Sequence, residues 1–116
     1  MRTLLVVLAA ALAAPAAHAK DYGLMNCAKA KTADEKAICA GKGLLQKDAV
    51  MATQYSLLRG MLLMGGRGVL IDEQHDWLAE RAKCAADKKC LIKRYDERID
   101  ALDKLFEGPR QRALGG

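Results

Sequence analysis

The stretch QHDWLAERAKCAADKKCLIKRYDERI, residues 74–99, decides the fold. Cys84 and Cys90 cannot pair on one unbroken helix, because six residues place them about 240° apart around its axis. A bridge between them therefore requires a turn, and Asp87 is a good N-cap for a new helix that starts at Lys88. The stretch predicts two helices joined by a short turn that a disulfide closes.

Residues 1–19 have the features of a secretory signal peptide. Arg2 gives a short positive start, residues 4–14 are an apolar run, and residues 17–19 read Ala-His-Ala, an A-x-A cleavage site. An apolar run of about 11 residues is too short to span a bilayer. Cys27 follows Leu-Met-Asn, but Asn26 stands where a lipid-attachment box requires a small residue. We therefore expect a periplasmic or secreted protein without a membrane span or a lipid anchor.

Four cysteines in an exported chain of this size predict two disulfides. Three connectivities are possible, and the spacing favours the local pairs Cys27–Cys39 and Cys84–Cys90, because short loops close at low entropic cost. A zinc site made by all four cysteines is disfavoured, since neither pair has the short spacing of zinc folds. We expect no metal and no cofactor.

The remaining pattern is helical, with no alternating strand signal and few β-branched residues. A capping box at Thr32 and Glu35 predicts a first helix that ends near Ala40. A second helix should run from Leu44 to about Leu62. The pattern as a whole predicts an all-α fold, a small bundle of three to four helices stapled by two local disulfides.

Glycines mark the predicted ends of the later helices. The sequence Gly-Gly-Arg-Gly at residues 65–68 predicts a break before a third helix over about 70–84. A fourth helix should run from Lys88 to Glu107, where Gly108 and Pro109 predict its end. We therefore place one helical domain at residues 20–107 and a flexible tail at residues 108–116.

The catalytic inventory argues against an enzyme. A Ser-His-Asp triad would have to combine His75 with Ser56, which lies inside a predicted helix. A Cys-His pair would need a free thiol, and two disulfides leave none. The glycines at residues 65–68 lack the Gly-Lys-Ser/Thr ending of a phosphate loop.

Charge gives no nucleic-acid signal. Without residues 1–19 the chain has 18 Lys+Arg and 14 Asp+Glu, a net charge of +4. Basic residues around the start of the last helix alternate with acidic ones, which is typical of a solvated helix face. We expect a protein partner and no nucleic acid.

Two sets of residues resemble the LprI-type lysozyme-inhibitor domain family. The first half of the resemblance is the set Cys27, Thr32, Glu35, Ile38, Cys39, Leu44, Asp48, Met51 and Tyr55. The second half is the set Gln74, Trp77, Leu78, Arg81, Cys84, Cys90, Leu91, Tyr95, Arg98 and Ile99. The resemblance implies a small, exported, helical bacterial protein that binds and inhibits lysozyme, and it implies the same local disulfides.

Most of the matched residues have a structural interpretation. Tyr55, Trp77 and Tyr95 are at core spacing, and we expect them to be buried rather than to contact a target. Arg81 and Arg98 suit ion pairs with Asp48 or other carboxylates between helices, because the planar guanidinium matches a carboxylate. Such a motif specifies a fold and does not by itself identify a ligand surface.

We expect contacts with a target at residues outside this motif. Arg67, between glycines, is the best donor for the carboxylate-bearing cleft of a muramidase. Asp72 and Asp76 offer negative charge to the cationic lysozymes that a +4 protein would otherwise repel. The alternative function is a cell-envelope accessory module that binds anionic wall polymer or another exported protein.

Overall fold

The computed structural model describes residues 23–115, and the predicted signal peptide therefore lies outside the described residues. A 3-10 turn at Cys27–Lys29 precedes four helices. These are α1 (Ala33–Ala40), α2 (Lys42–Met61), α3 (Met64–Ala82) and α4 (Lys88–Gly115). Residues 23–115 contain no strand. The prediction of an all-α bundle with two local disulfides is confirmed.

Helix α1 begins at the predicted capping box. The Glu35 carboxylate accepts hydrogen bonds from the backbone N–H groups of Lys31 (2.7 Å) and Thr32 (3.1 Å). These two bonds lower the pKa of Glu35 below its ordinary value. The box therefore anchors the start of a helix that is too short to be stable alone.

Helices α2 and α4 run parallel and form the largest contact in the bundle. Lys47 pairs with Asp96, and Gln54 donates to Asp103 at 2.6 Å. The two partners are 49 residues apart in both pairs, as a parallel arrangement of the helices requires. Helix α3 runs antiparallel to both, since it returns from the end of α2. The three long helices enclose one core.

The core is apolar and draws on every helix. Its buried apolar side chains are Ile38, Leu44, Met51, Ala52, Tyr55, Leu58, Leu70, Cys84, Leu91, Tyr95 and Leu102. Trp77 and Phe106 are partly buried and pack against this set. Tyr55 and Tyr95 are therefore in the core, as their spacing predicts.

Both disulfides form between the cysteines that are close in sequence. The Cα atoms of Cys27 and Cys39 are 5.6 Å apart, and those of Cys84 and Cys90 are 5.5 Å apart. The second bridge closes the turn between α3 and α4, where Ala85 has a positive φ of 47°. The Asp87 carboxylate accepts from the backbone N–H of Cys90 at 3.1 Å, which is the predicted N-cap of α4.

The prediction that the glycines at residues 65–68 break the helix is wrong. Helix α2 ends at Met61 and α3 begins at Met64, so that the break lies at Leu62 and Leu63. No glycine among the described residues has a positive φ. A helix tolerates glycine at a cost of about 1 kcal/mol per residue relative to alanine, so that these three glycines weaken the start of α3 without excluding a helix there.

The prediction that Gly108 and Pro109 end the last helix is also wrong. Helix α4 continues through Pro109 to Gly115, and this helical segment includes most of the predicted flexible tail. Proline disfavours a helical residue before it through a clash of its Cδ with that residue's backbone N–H and Cβ. Gly108 has no Cβ, which removes part of this clash, and the missing hydrogen bond and the contact of the ring with the preceding turn remain as the local cost.

The helical placement of the glycine run predicts that Gly68→Ala is stabilising. No atom lies within 4 Å of the Cβ position at Gly68. We expect the free energy of unfolding to rise by about 1 kcal/mol, measured by urea denaturation. Gly41→Ala is the control, because Gly41 is in extended backbone between two helices and should show no such gain. A loss of stability in Gly68→Ala would contradict the helix.

Candidate functional site

Five polar side chains are buried in the bundle, and four of them belong to the family-like motif. They are Asp34, Asp48, Gln74, Arg81 and Arg98. They come from all four helices. A buried polar side chain destabilises the fold unless its hydrogen bonds are satisfied. The hydrogen-bond partners of these five side chains therefore show whether they stabilise the fold.

Arg81 of α3 binds α1 through Asp34. Its Nε donates to Asp34 Oδ2 at 2.9 Å, and both side chains are at least 95% buried. The Thr32 hydroxyl donates to the other oxygen of Asp34. Arg81 Nη1 also donates to the Tyr95 hydroxyl at 3.3 Å. Arg81 therefore ties α1, α3 and α4 together.

Asp48 continues this network into α2. Its Oδ1 accepts from the Tyr95 hydroxyl at 2.9 Å, and its Oδ2 accepts from the backbone N–H of Met25 at 2.7 Å. The Tyr95 hydroxyl thus lies between Arg81 and Asp48. Arg81 therefore pairs with Asp34 and not directly with Asp48. Asp48 instead binds the segment before α1 through Met25.

Trp77 braces the same region from α3. Its Nε1 donates to the Arg94 backbone carbonyl at 3.1 Å. Its ring meets Tyr95 edge to face at 5.2 Å, and the Arg81 guanidinium lies 5.6 Å from the ring centroid. The indole therefore packs and hydrogen-bonds within the fold, which leaves little of it to contact a target.

Gln74 and Arg98 form a second polar group one turn away. Arg98 Nε donates to Gln74 Oε1 at 2.9 Å, and Gln74 Nε2 lies 3.1 Å from the Met51 sulfur. Arg98 Nη1 is 3.8 Å from the half-exposed Glu73 carboxylate. Arg98 Nη2 and the Tyr55 hydroxyl are buried without a hydrogen-bond partner among the described residues.

The environment shifts the pKa of the buried ionisable groups. Burial works to raise the pKa of Asp34, but the hydrogen bond from Thr32 and the charge of Arg81 outweigh it and lower that pKa. Burial raises the pKa of Tyr95, with Asp48 contributing, and burial lowers the pKa of Arg98. Asp34 and Arg81 therefore act as a charged pair at neutral pH.

The exposed side of α3 carries a row of carboxylates. Asp72, Asp76 and Glu80 are spaced four residues apart, which aligns them on one helix face. The Asp76 side chain is 84% exposed, and its Oδ1 lies 3.5 Å from Nδ1 of His75. Lys83 pairs with Glu80 at 2.5 Å. We call these three carboxylates the acidic ridge.

Arg67 lies in the first turns of α3 and not on a loop. Its Nη2 donates to the backbone carbonyl of Leu62 at 3.3 Å, which caps the end of α2. The predicted contact residues are therefore all exposed on α3. Arg67 is at its start, and Asp72 and Asp76 lie one to two turns further along.

Asp34 is the main residue that the sequence reasoning did not single out. It stands in the first turn of α1, where a carboxylate is expected for local reasons alone. Its pairing partner lies 47 residues away. The one available signal was the need of a buried Arg81 for a carboxylate.

The described residues contain neither a group of metal ligands nor a membrane-spanning helix. Within residues 23–115 no group of three or more His, Cys, Asp or Glu side chains is arranged to hold a metal ion. No helix in this part of the chain is long and apolar enough to cross a bilayer.

No protein-family model, curated protein or solved structure matches this chain. The resemblance to the LprI-type family therefore rests on the motif residues themselves.

The position of the Tyr95 hydroxyl predicts a clear difference between two tyrosines. Tyr95→Phe removes the bond to Asp48 and leaves Arg81 Nη1 without that acceptor, so we expect the free energy of unfolding to fall by about 1–3 kcal/mol. Tyr55→Phe is the matched control, because its hydroxyl has no partner among the described residues. It should be close to neutral in urea denaturation. Equal losses in both variants would contradict the network.

The lowered pKa of Asp34 predicts a pH dependence of stability. A carboxylate with a depressed folded pKa stabilises the fold above its unfolded pKa, here 3.8, and this contribution is lost as the pH falls through the folded value. Asp34→Asn should be less stable at pH 7 and should lose less stability on acidification. Thermal unfolding between pH 7 and pH 2 measures this. Parallel pH profiles for both proteins would overturn the assignment.

Proposed function

We propose that this chain is an exported, non-enzymatic binding protein of the LprI type that binds and blocks a muramidase. Its compartment would be the periplasm or the medium. The two disulfides support a non-reducing compartment, because such bridges are rare in the cytosol. The acidic ridge is the observation that carries the choice of partner.

The buried network supports the family-like part of the proposal. Asp48, Gln74, Arg81, Tyr95 and Arg98 are distant in sequence, and they form two buried polar groups, in which Tyr95 links Arg81 to Asp48 and Arg98 binds Gln74. A motif whose members contact one another in the interior specifies a fold. The motif therefore supports a common fold for proteins that carry it, and it leaves their surfaces free to differ.

The acidic ridge explains how a cationic protein would bind a cationic enzyme. With a net charge of +4 outside residues 1–19, long-range repulsion would slow association with a basic lysozyme. Asp72 and Asp76 form no ion pair with Lys or Arg among residues 23–115, so that their charges are available to a partner. A basic rim of a muramidase is the surface that this row of carboxylates fits.

Blocking follows from where the ridge lies. Arg67 is exposed at the start of α3, five residues before Asp72 and about 140° around the helix axis from it. Contact of the ridge with the rim of the sugar-binding cleft would place the α2–α3 connection over the cleft. Arg67 would then donate to the carboxylates that catalyse glycoside hydrolysis, and the polysaccharide would be excluded.

The test is turbidimetric lysis of cell-wall substrate by several muramidases with the oxidised protein. We expect Asp72→Ala/Asp76→Ala to raise the concentration for half-inhibition by about tenfold, because two contact charges are lost. Asp100→Ala/Glu107→Ala is the matched control, since it removes two carboxylates that pair with cations within α4. Arg67→Ala should reduce inhibition less than the ridge variant, and all variants should keep their helical spectrum.

Two results would overturn the proposal. One is no inhibition of any muramidase by folded protein, which would favour the envelope accessory module. The other is an equal loss of inhibition in the ridge variant and in the control, which would show that net charge and not the ridge governs binding.

A further inference from the structure

The end of α2, the start of α3 and the two residues between them have an unusual composition. Residues 57–71 read LLRGMLLMGGRGVLI, with two arginines, no carboxylate and nine Leu, Met, Val or Ile side chains. Leu58 and Leu70 are buried in the core, and Leu62 packs against it. The core does not account for the other apolar side chains of this stretch.

Much of this apolar surface is exposed. Leu63 and Met64 are 86% and 88% exposed, and Leu57 and Met61 are more than half exposed. The four side chains lie within eight residues, at the end of α2 and the start of α3. We call them, with Arg59 and Arg67, the α2–α3 tip. Exposed apolar patches of this kind typically mark an interaction surface.

The charge around the tip is positive. Arg59 and Arg67 form no ion pair among residues 23–115, and Arg67 is held against the Leu62 carbonyl. The parallel register of α2 and α4 brings the last turns of α4 beside the end of α2. Those turns contain Arg110 and Arg112, with Glu107 as their carboxylate, and Glu107 pairs with Arg110 at 3.1 Å.

We propose that the α2–α3 tip docks on an anionic phospholipid surface. Leu63 and Met64 would enter the boundary between headgroups and acyl chains, and Arg59 and Arg67 would contact the lipid phosphates. Apolar side chains beside cations are the combination that interfacial binding uses, since hydrocarbon contact and attraction to anionic lipid add together.

Other occupants fit this surface less well. A second copy would bring two cationic tips together without a carboxylate to offset them, so that charge opposes self-association. An anionic wall polymer would satisfy the arginines but would leave Leu63 and Met64 in water. A lipid surface accounts for both features.

Docking at the tip leaves the acidic ridge facing away from the phosphates, which repel it. Arg67 belongs to both proposed contacts, so that a molecule docked on lipid through the tip would not block a muramidase at the same time, whereas the acidic ridge takes part in the enzyme contact alone. Membrane docking would hold the protein at the envelope surface where wall-degrading enzymes act.

The experiment is co-sedimentation with vesicles, using oxidised residues 20–116. This piece contains both disulfides and every core residue, and it omits the apolar run at residues 4–14, which would bind lipid itself. We expect binding to phosphatidylglycerol vesicles, with little binding to phosphatidylcholine and with weakening in high salt. Leu63→Asp/Met64→Asp and Arg59→Glu/Arg67→Glu should each weaken binding by more than about tenfold.

Matched controls separate the tip from general charge and hydrophobicity. Lys88→Glu/Lys89→Glu makes the same charge change at the other end of α4, and Val50→Asp removes an exposed apolar side chain elsewhere on α2. Both should bind within about twofold of the parent protein. Leu63 and Met64 are so exposed that their replacement should leave the helical spectrum unchanged.

Four results would overturn the proposal. These are no binding to anionic vesicles, equal loss in Lys88→Glu/Lys89→Glu, unchanged binding in Leu63→Asp/Met64→Asp, and a dimer that the tip variants dissociate. Unchanged binding in the apolar variant would indicate an anionic polymer. Loss of muramidase inhibition in the tip variants without lipid binding would assign the tip to the enzyme contact. The ridge variants keep the two proposals distinguishable, because they should inhibit poorly and still bind vesicles.

Discussion

The buried ion pair between Arg81 and Asp34 is the constraint on which the rest of the structure depends. Removing two charges from water costs several kcal/mol per ion, and their attraction repays this only when the remaining hydrogen-bonding groups are also satisfied. Thr32 and Tyr95 satisfy them here, and Tyr95 in turn satisfies Asp48. The pair therefore requires α1, α2 and α4 to meet α3 in one arrangement, which gives a small bundle a unique packing.

Covalent and noncovalent constraints are concentrated at the same end of the molecule. Asp34 of α1 lies five residues before Cys39, and its partner Arg81 lies three residues before Cys84, so that this ion pair is close to both disulfides. The opposite end contains the break at Leu62 and Leu63, and neither disulfide lies there. This end presents apolar surface to the solvent.

Local rules of sequence predicted the parts of the fold that local physics controls. The capping box at Thr32, the N-cap at Asp87 and the paired cysteines each depend on a few adjacent residues, and the structure has them as predicted. The glycine run and Pro109 predict helix ends, but both segments are helical, because glycine costs a helix only about 1 kcal/mol per residue and Gly108 has no Cβ to clash with the proline ring. The partner of Arg81 was out of reach, because Asp34 lies 47 residues away and reads locally as an ordinary first-turn carboxylate.

Because the motif residues are buried, the resemblance that they carry concerns the fold, and a binding surface has to be argued from other residues. Gln74, Arg81 and Tyr95 use their polar groups in buried contacts within the fold, so that they determine its shape and form little of its outer surface. A surface that recognises a partner has to consist of exposed residues, and both of the proposed surfaces lie on or beside α3. The start of this helix is apolar and cationic, and its middle is acidic. Because lipid phosphates and a basic enzyme surface attract opposite charges, each proposed partner would select a different part of the helix.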